Sequence, residues 1–546
     1  CAAADNGAQV QPSSGTGCWI RQPSPLTDIR VWGATTGADI GQYVQKAYNA
    51  NVGCIFIPPG IWPWSSAVTM AAQPPCFRGA GWNEAVSASS LSTANMTGTW
   101  ISISSTSFAP VTITAVNGQG GTNGFSHMAF YEAQPAPATG WTPTAYPFIF
   151  TLNSSLGRVD FDSLMFYNVT HCISEFDAAR SHITNIYGQP LGTCLQFDDQ
   201  QDVSVLDNVE FWPFWNANAN VVGYTQQNVD PILFERSDSP NIGKIELVFA
   251  YHSGIAFAQS ASGITSGAQI GSIQSDATKY GLWIEPGTTG VQLQVANLRG
   301  AGEAYPGTGQ IPGSETYRDE GTSTDVSIGN LDCFYAGSNC VDIRGTGTLQ
   351  FANLLAWNFN FDNNSSVAVN AGASGVVTGA NQPSITFPQN GATTIPPRSA
   401  GGIYALRGVR QSWTPTIVGG TTAGSATYTA QAGTFWYDGS IVTMTFNLSA
   451  SASSGMAGNL TIQGLPFSYN TAANQNSFCT IGNMAGIALA ANYTTLTGIA
   501  SGGGGSQILM LENGSGQSSI IAPTTVIVGG SGAFTIDGQC VIASGQ

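Results

Sequence analysis

The apolar positions of this chain change their period along its length. Residues 1–27 are polar, carry Gly, Ser and Pro, and show no period; they read as an arm. Asp28-Ile29-Arg30-Val31-Trp32 alternates like a short strand, and Gly33-Ala34 ends it. Asp39 then caps a predicted helix over about 39–50, in which Ile40, Tyr43, Val44, Ala47 and Tyr48 share one face. Cys54-Ile55-Phe56-Ile57 reads as a buried strand closed by Pro58-Pro59-Gly60.

From about residue 159 the pattern repeats. Units open at Val159-Asp160-Phe161, Ser181-His182-Ile183 and Asp202-Val203-Ser204-Val205, with further copies near Asn241, Gln269, Val291, Asp325 and Thr348. Each unit alternates apolar and polar residues, bends, and reaches a second short strand after a Gly-bearing turn, as in Tyr280–Ile284 and Asn339–Ile343. A period of roughly 20–30 residues built from short strands implies a solenoid, because one unit cannot bury its own apolar face. Three strands per coil, each in parallel on the next, make a right-handed parallel β-helix. The longest insertion is at about 212–231. The stretch 375–412 is Pro/Gly-rich and breaks the period, and after Arg410 there is neither Lys nor Arg. Beyond it Trp413–Val418, Ala426–Thr429 and Ile441–Phe446 alternate between Gly/Ser turns, as in an antiparallel β-sandwich or jelly-roll-like module. The predicted organisation is an arm (1–27), a β-helix with its capping helix (28–400), a linker (401–412) and a C-terminal β-sandwich (413–546).

Composition narrows the function. Only 8% of the 546 residues are charged, and 15 Lys+Arg against 31 Asp+Glu give a net charge of −16. Charge-driven disorder and a Lys/Glu-rich helical bundle are excluded. A duplex nucleic-acid binder needs a basic face, and an anionic membrane surface repels this chain, so neither is an expected partner. No transmembrane segment is read, because Gly, Ser and Asn interrupt the long uncharged runs. The chain has no initiator Met and no signal peptide, so its start reads as processed or truncated; Cys1 as a lipid-bearing residue is the minor alternative. The ten cysteines show no CxxC or Cys/His zinc spacing, so neither a metal nor a cofactor is expected. Cys54 with Cys76 and Cys333 with Cys340 are candidate disulfides, which favours an extracellular setting, against buried free thiols. Cys172 and Cys194 occupy the same place in successive units.

Asp28-Ile29-Arg30-Val31-Trp32-Gly33-Ala34, the helix, Ile57-Pro58-Pro59-Gly60-Ile61-Trp62 and Arg78-Gly79-Ala80-Gly81 resemble the opening module of pectate-lyase-superfamily β-helix proteins. The stretch Trp413-Thr414-Pro415, Gly424–Tyr428, Gly433-Thr434-Phe435 and Gly458–Phe467 is similar to the distal domain of phage tail fibres and tailspikes. The resemblance implies a homotrimer whose shaft binds, and often cleaves, bacterial surface polysaccharide. It makes other virion tail proteins possible partners, although no particle-binding head is read before residue 28.

The repeat register stacks Met165, Tyr187, Glu210, Glu246, Gln274, Arg299 and Asp332 in one outward column, at about one strand spacing of 4.8 Å per step. Five successive polar members in so uncharged a chain are either solvated surface or a site, since stacked like charges repel. A one-residue slip at the 212–231 insertion would turn Glu246 inward. Trp212 and Trp215 on the insertion, with Tyr251 and His252 a coil later, are candidate sugar-binding groups beside Phe214 and Phe249. Glycoside hydrolysis needs two carboxyls, and the candidates are Glu246 as general acid with Glu210 or Asp276 as partner. Arg299 and Asp332 would hold the substrate. If the polymer carries uronic acids, a lyase is the alternative, with Arg299 neutralising the carboxylate and His252 or Tyr251 removing the proton; the third reading is a non-catalytic receptor-binding fibre. Asp198, Asp199 and Asp202 read as a turn rather than a Ca²⁺ site, and the histidines are too dispersed for a Ser-His-Asp triad.

Overall fold

The structure is a computed structural model. It describes residues 9–20, 26–83 except 52, 94–114, 124–304 except 156, 311–362 except 358, 410–465 except 439–440, 478–500 and 507–543, and short segments between 366 and 406. The chain divides into two compact units, the first made essentially of residues up to 370 and the second of the rest.

The first unit is a parallel β-helix, right-handed as crossover connections between parallel strands require. The long strands Asp160–Phe166, His182–Gly188, Val205–Phe211, Asn241–Val248, Ala268–Asp276, Gln292–Ala301 and Asp325–Phe334 stack in parallel, one per coil. The shorter strands Ile173–Ala179, Leu195–Gln201, Ile232–Phe234, Ser253–Phe257, Tyr280–Ile284, Glu315–Asp319 and Val341–Ile343 form a second parallel sheet. Coiling begins well before residue 159: Thr99–Ile103, Val111–Thr114, Gly124–Glu132 and Phe150–Ser155 are already in these sheets.

Inside, like residues stack on like. Phe161, Ile183, Leu206, Ile242, Ile270, Val295 and Ile328 form one buried ladder, and Leu164, Ile186, Val209, Ile245, Ile273, Leu298 and Leu331 another. Phe197, Phe234 and Phe257 stack at 4.4 and 5.5 Å between ring centres. The early long strands bend at His127, Ser163, Asn185 and Asn208, all with positive φ, a conformation Asn adopts more readily than most residues. Asn208 Nδ2 donates to Asn185 Oδ1 and Asn185 Nδ2 to Asp162 Oδ1, each at 2.7 Å, so the corner carries its own polar ladder.

At the N-terminal end the capping helix spans Gly41–Ala50, and the Asp39 carboxylate accepts from Gly41 N at 3.1 Å and from Ser65 N at 2.8 Å. The alternation at 28–32 proves to be a 3₁₀ turn, Ile29–Trp32, following the strand Leu26–Asp28. Asp28 caps that turn through Arg30 N (2.8 Å), and Gly33 closes it at φ 95°, which only glycine adopts without strain.

The second unit is one ten-stranded antiparallel sheet that curls over a core of Met444, Phe446, Leu448, Ile462, Ile508, Met510 and Ile536. Its long hairpin pairs Ser425–Asp438 with Ile441–Ser454. Ile403–Leu406, in the stretch predicted as linker, is a strand parallel to Val376–Gly379.

Disulfides join Cys54 to Cys76, Cys172 to Cys194, Cys333 to Cys340 and Cys479 to Cys540, and Cys18 is bonded as well. Buried free thiols are therefore absent among the described residues; the lipid-anchor reading of Cys1 lies outside them. Cys172 and Cys194 precede strands of adjacent coils and tie them covalently across 22 residues. Replacing both by Ser is expected to cost about 3 kcal/mol by the loop-closure estimate. The urea midpoint under non-reducing conditions measures it, and an unchanged midpoint would show that stacking alone holds these coils.

Candidate functional site

Two outer walls of the β-helix carry charge, one on each sheet. On the long-strand sheet the register places Tyr187 opposite Glu210, Glu210 opposite Glu246, then Gln274, Arg299 and Asp332 in turn. No slip occurs at the insertion, and Glu246 lies on the outer face. Lys244 Nζ sits 2.6 Å from Glu246, which raises the lysine's proton affinity; Glu210 contributes to the same effect. Asp276 is one strand over from Val248; its Oδ2 accepts from Gln274 Nε2 at 3.3 Å, and its buried Oδ1 has no hydrogen-bond partner. Arg299 lies 4.9 Å above the Phe334 ring. Asp332 is pushed up by partial burial, with Arg299 opposing.

The start of this column is covered. Met165 is fully buried in a cluster with Trp100, Ala129, Tyr167 and Phe214, on which Tyr187, Trp212 and Trp215 pack. Trp212 meets Phe214 edge-on at 5.5 Å and Trp215 leans on Trp141 at 5.9 Å, so both are half-buried supports as well as surface. The insertion includes the helix Ala219–Asn228, capped by Asn218.

Two predicted site residues lie elsewhere. Tyr251 is 0% exposed and points into the core, where its hydroxyl has no partner, so it is unavailable to substrate. The turn after Val248 contributes Phe249 and Tyr251, packed edge-to-face at 5.4 Å, to the interior. His252 precedes a strand of the other sheet and bonds Asp230 at 3.0 Å through Nδ1. Arg299 and His252 therefore belong to different sheets, and the lyase grouping of Arg299 with His252 or Tyr251 is not assembled. The three aspartates near 200 also separate. Asp199 pairs with Arg236, Asp202 with Arg180 at 2.7 Å, and Asp198 accepts from Ser260 at 2.6 Å.

The second wall, on the short-strand sheet, was not foreseen. One outward row runs Gln196, Leu233, Ala256, Trp283, Arg318, Asp342 and Asn370. Two residues further along each strand the next row runs Asp198, Glu235, Ala258, Glu285, Glu320 and Arg344, continued by the backbone bonds Glu235 N to Phe197 O, Glu285 N to Phe257 O and Glu320 N to Ile284 O. Ala256, fully buried, and Ala258 separate Leu233 and Glu235 on one side from Trp283 and Glu285 on the other. Tyr280 and Trp283 flank His252 edge-on at 5.2 and 4.7 Å, and Arg318 stacks on Tyr280 at 4.7 Å.

The carboxyls of this wall are driven apart in acidity. Burial pushes Glu285 up to about 7, with Asp230, Glu235 and Glu320 adding repulsion and His252 opposing it. One coil away, burial also disfavours the charge of Glu320. Hydrogen bonds from Arg318 (2.7 Å) and Trp283 Nε1 (3.1 Å) outweigh that, and hold its carboxyl below the usual range. Glu235 is raised by burial despite a 2.7 Å bond from Gln196. Three other carboxyls are also strongly raised by burial, Glu132 and Glu315 to about 8 and Glu175 to about 7, but at 1%, 4% and 0% exposure they are sealed from any substrate. Glu285 combines a raised affinity for its proton with a half-open position.

The signal for this wall is present in the sequence: Trp283-Ile284-Glu285, Arg318-Asp319-Glu320 and Asp342-Ile343-Arg344 occupy equivalent places in three second strands. The middle strand, Glu315–Asp319, carries four polar residues of five and does not read as a strand; Glu315, Arg318 and Asp319 are buried, with Arg318 donating to Glu315 and Glu320 while Asp319 accepts from Tyr317 and Thr324.

Among the described residues no group of three or more His, Cys, Asp or Glu could hold a metal ion, and no helix is long and apolar enough to cross a membrane. No family model and no curated protein matches this chain. Among solved structures it is similar to the Dettilon tailspike protein, at 11% identity over 95% of this chain and 94% of that one, with a TM-score of 0.49. DFA-IIIase from Arthrobacter chlorophenolicus A6 is 12% identical over 65% of this chain and 92% of that one, with a TM-score of 0.40. The enzymatically active domain of bacteriophage CBA120 tailspike protein 4 is 11% identical over 100% and 69%, with a TM-score of 0.37. At such identities the likeness is one of fold and adds nothing about chemistry, which rests on the side chains described above.

Arg318 is the hinge of the second wall, 3.2 Å from buried Glu315 and 2.7 Å from Glu320. Burial pushes Glu315 up to about 8, so above that pH Arg318→Met leaves a buried carboxylate without its nearest cation and is expected to cost about 3 kcal/mol in a urea melt. The double variant Arg318→Met/Glu315→Gln should recover most of that loss; no recovery would locate the cost in packing instead of charge.

Proposed function

We propose that this chain is an extracellular, tailspike-like protein that binds a bacterial surface polysaccharide along its β-helix and hydrolyses it at Glu285. The observation that carries the reading is a half-open carboxyl, protonated up to about pH 7, one strand spacing from a carboxyl held ionised. Environments that push two such groups apart assign an acid and a base. Glu285 donates its proton to the glycosidic oxygen while half-buried Trp283 offers a face for a sugar ring. Two partners fit the remaining role. Glu320, on the adjacent strand, lies near the separation of about 5–5.5 Å that suits a nucleophile and retention. Glu235, two strands away in the same row, lies near the roughly 6.5–9.5 Å that leaves room for an activated water and inversion. The anomer released first, read by NMR, decides between them.

A second reading keeps the catalytic pair on the other wall, with Glu246 as acid and Glu210 or Asp276 as partner. The stacking of Glu210 on Glu246 supports it. The Lys244 ammonium at 2.6 Å already engages Glu246 in an ion pair, which suits a group that holds substrate. In our reading this column, with Arg299, Asp332, Trp212 and Trp215, is therefore a track for the polymer. A non-catalytic fibre is the outcome if no polysaccharide is cut. The disulfide set fits an oxidising compartment, and the homotrimer and a place among virion tail proteins belong to the same proposal. Sedimentation at one chain's mass would remove the trimer.

With a polysaccharide that the protein cuts, Glu285→Gln is expected to lower kcat by about 10²–10⁴ while binding persists. Glu246→Gln should weaken binding more than turnover; the opposite pattern would return the acid role to Glu246. The sign of the pH dependence is also set. The acid works only while protonated, so kcat should fall as pH rises through about 7, and Glu285→Gln should abolish that limb. Release of reducing ends without absorbance at the unsaturated-uronate band separates hydrolysis from a lyase.

A further inference from the structure

A third surface belongs to neither wall. A hollow of about 310 Å³ opens on the first half of the long strands, where four successive coils place Arg78, Ser126, Asp162 and Thr184 in one stacked row, with Asp160 and His182 in the row beside it. That volume is at the lower end of ligand pockets and suits a single sugar ring with its water. We propose that this hollow is a non-catalytic subsite for a carboxylated sugar, with Arg78 taking the carboxylate.

The chemistry of the lining argues for that ligand. Its other cation, Arg158, is already engaged by Asp160 through bonds of 2.7 and 3.2 Å. The Arg78 guanidinium is exposed and takes part in no ion pair or hydrogen bond among the described residues, in a chain that has only 15 Lys and Arg. A planar guanidinium matches a carboxylate with two parallel bonds. Inorganic phosphate or sulfate would bring more negative charge against Asp160 and Asp162, whereas a monovalent carboxylate on a hydroxyl-rich ring brings one. Groups suited to the ring's hydroxyls stand around it. Asp162 uses Oδ1 to accept from Thr184 (3.1 Å) and Asn185 (2.7 Å), and its other oxygen has no bond among the described residues. Burial, and then Arg158, hold His182 below its usual range, so near neutrality its ring offers one donor and one acceptor. His127 lines the same hollow with a buried Nδ1 that lacks a partner, a group that a bound hydroxyl would satisfy. The hollow is on a different part of the coil from Glu285, so it would hold the polymer without touching the proposed chemistry.

Direct binding tests this with no turnover, and so stands or falls independently of the hydrolysis. Galacturonate, glucuronate, their parent hexoses and inorganic phosphate are titrated into the full chain and followed by saturation-transfer NMR and calorimetry. Saturable binding of a uronate is expected, at least about tenfold tighter than its hexose, the worth of one charge-assisted contact. Arg78→Met should remove that preference, and His182→Ala should weaken uronate and hexose alike, both with unchanged thermal unfolding. Uronate and hexose binding equally, phosphate binding more tightly than either uronate, no saturable binding to any probe, or an Arg78→Met variant that keeps the preference would each overturn the assignment.

Discussion

Everything in the first unit depends on the parallel pairing of each coil with the next. Hydrogen bonds between strands fix a step of about 4.8 Å, and at each step the residue at a given place lands on its equivalent. The interior exploits this with the ladders from Phe161 to Ile328 and from Leu164 to Leu331, where each side chain covers the one before it. The same arithmetic acts outside, where it turns residues far apart in the chain into neighbours. Glu210 and Glu246 are opposite one another only because the 212–231 insertion loops out and returns the strand in register. A slip of one residue would send the whole outer row into the core, and the core ladders are what forbid it.

Charge is scarce in this protein and is placed with corresponding economy. Many of the charged side chains on the β-helix answer one another at short range: Arg236 with Asp199 and Asp238, Arg318 with Glu315 and Glu320, Arg344 with Asp342. Against that background the second wall is unusual because it gathers Asp230, Glu235 and Glu320 close enough to Glu285 to raise its proton affinity. Burial alone does not make a carboxyl functional, as sealed Glu132 and Glu175 illustrate: Glu132 takes three bonds from Thr170 and Gln134 and serves the fold. Glu285 differs in its access and in its neighbours. Glu320, given two strong donors by Arg318 and Trp283, keeps its charge and so helps Glu285 keep its proton.

The sequence alone determined the winding. Alternation, turn chemistry and a recurring unit are local properties, and they were enough for the β-helix, its capping helix, the strand starts from His182 to Thr348 and the outer column from Tyr187 to Asp332. It also offered Cys54–Cys76 and Cys333–Cys340 as candidate disulfides, and both are bonded. At 28–32 local alternation failed, because Asp28 captures Arg30 N and bends the chain into a 3₁₀ turn. What only the tertiary structure decided is which acid holds a proton and which aromatic is open to solvent. Tyr251 and His252 are adjacent in sequence, yet one lies in the core and the other faces Asp230, because a turn of irregular length sets the direction of each. The affinity of Glu285 for its proton comes from burial and from charges at 230, 235 and 320, contributed by separate segments of the chain. No local pattern encodes that sum, since its members lie on three coils that meet only once wound.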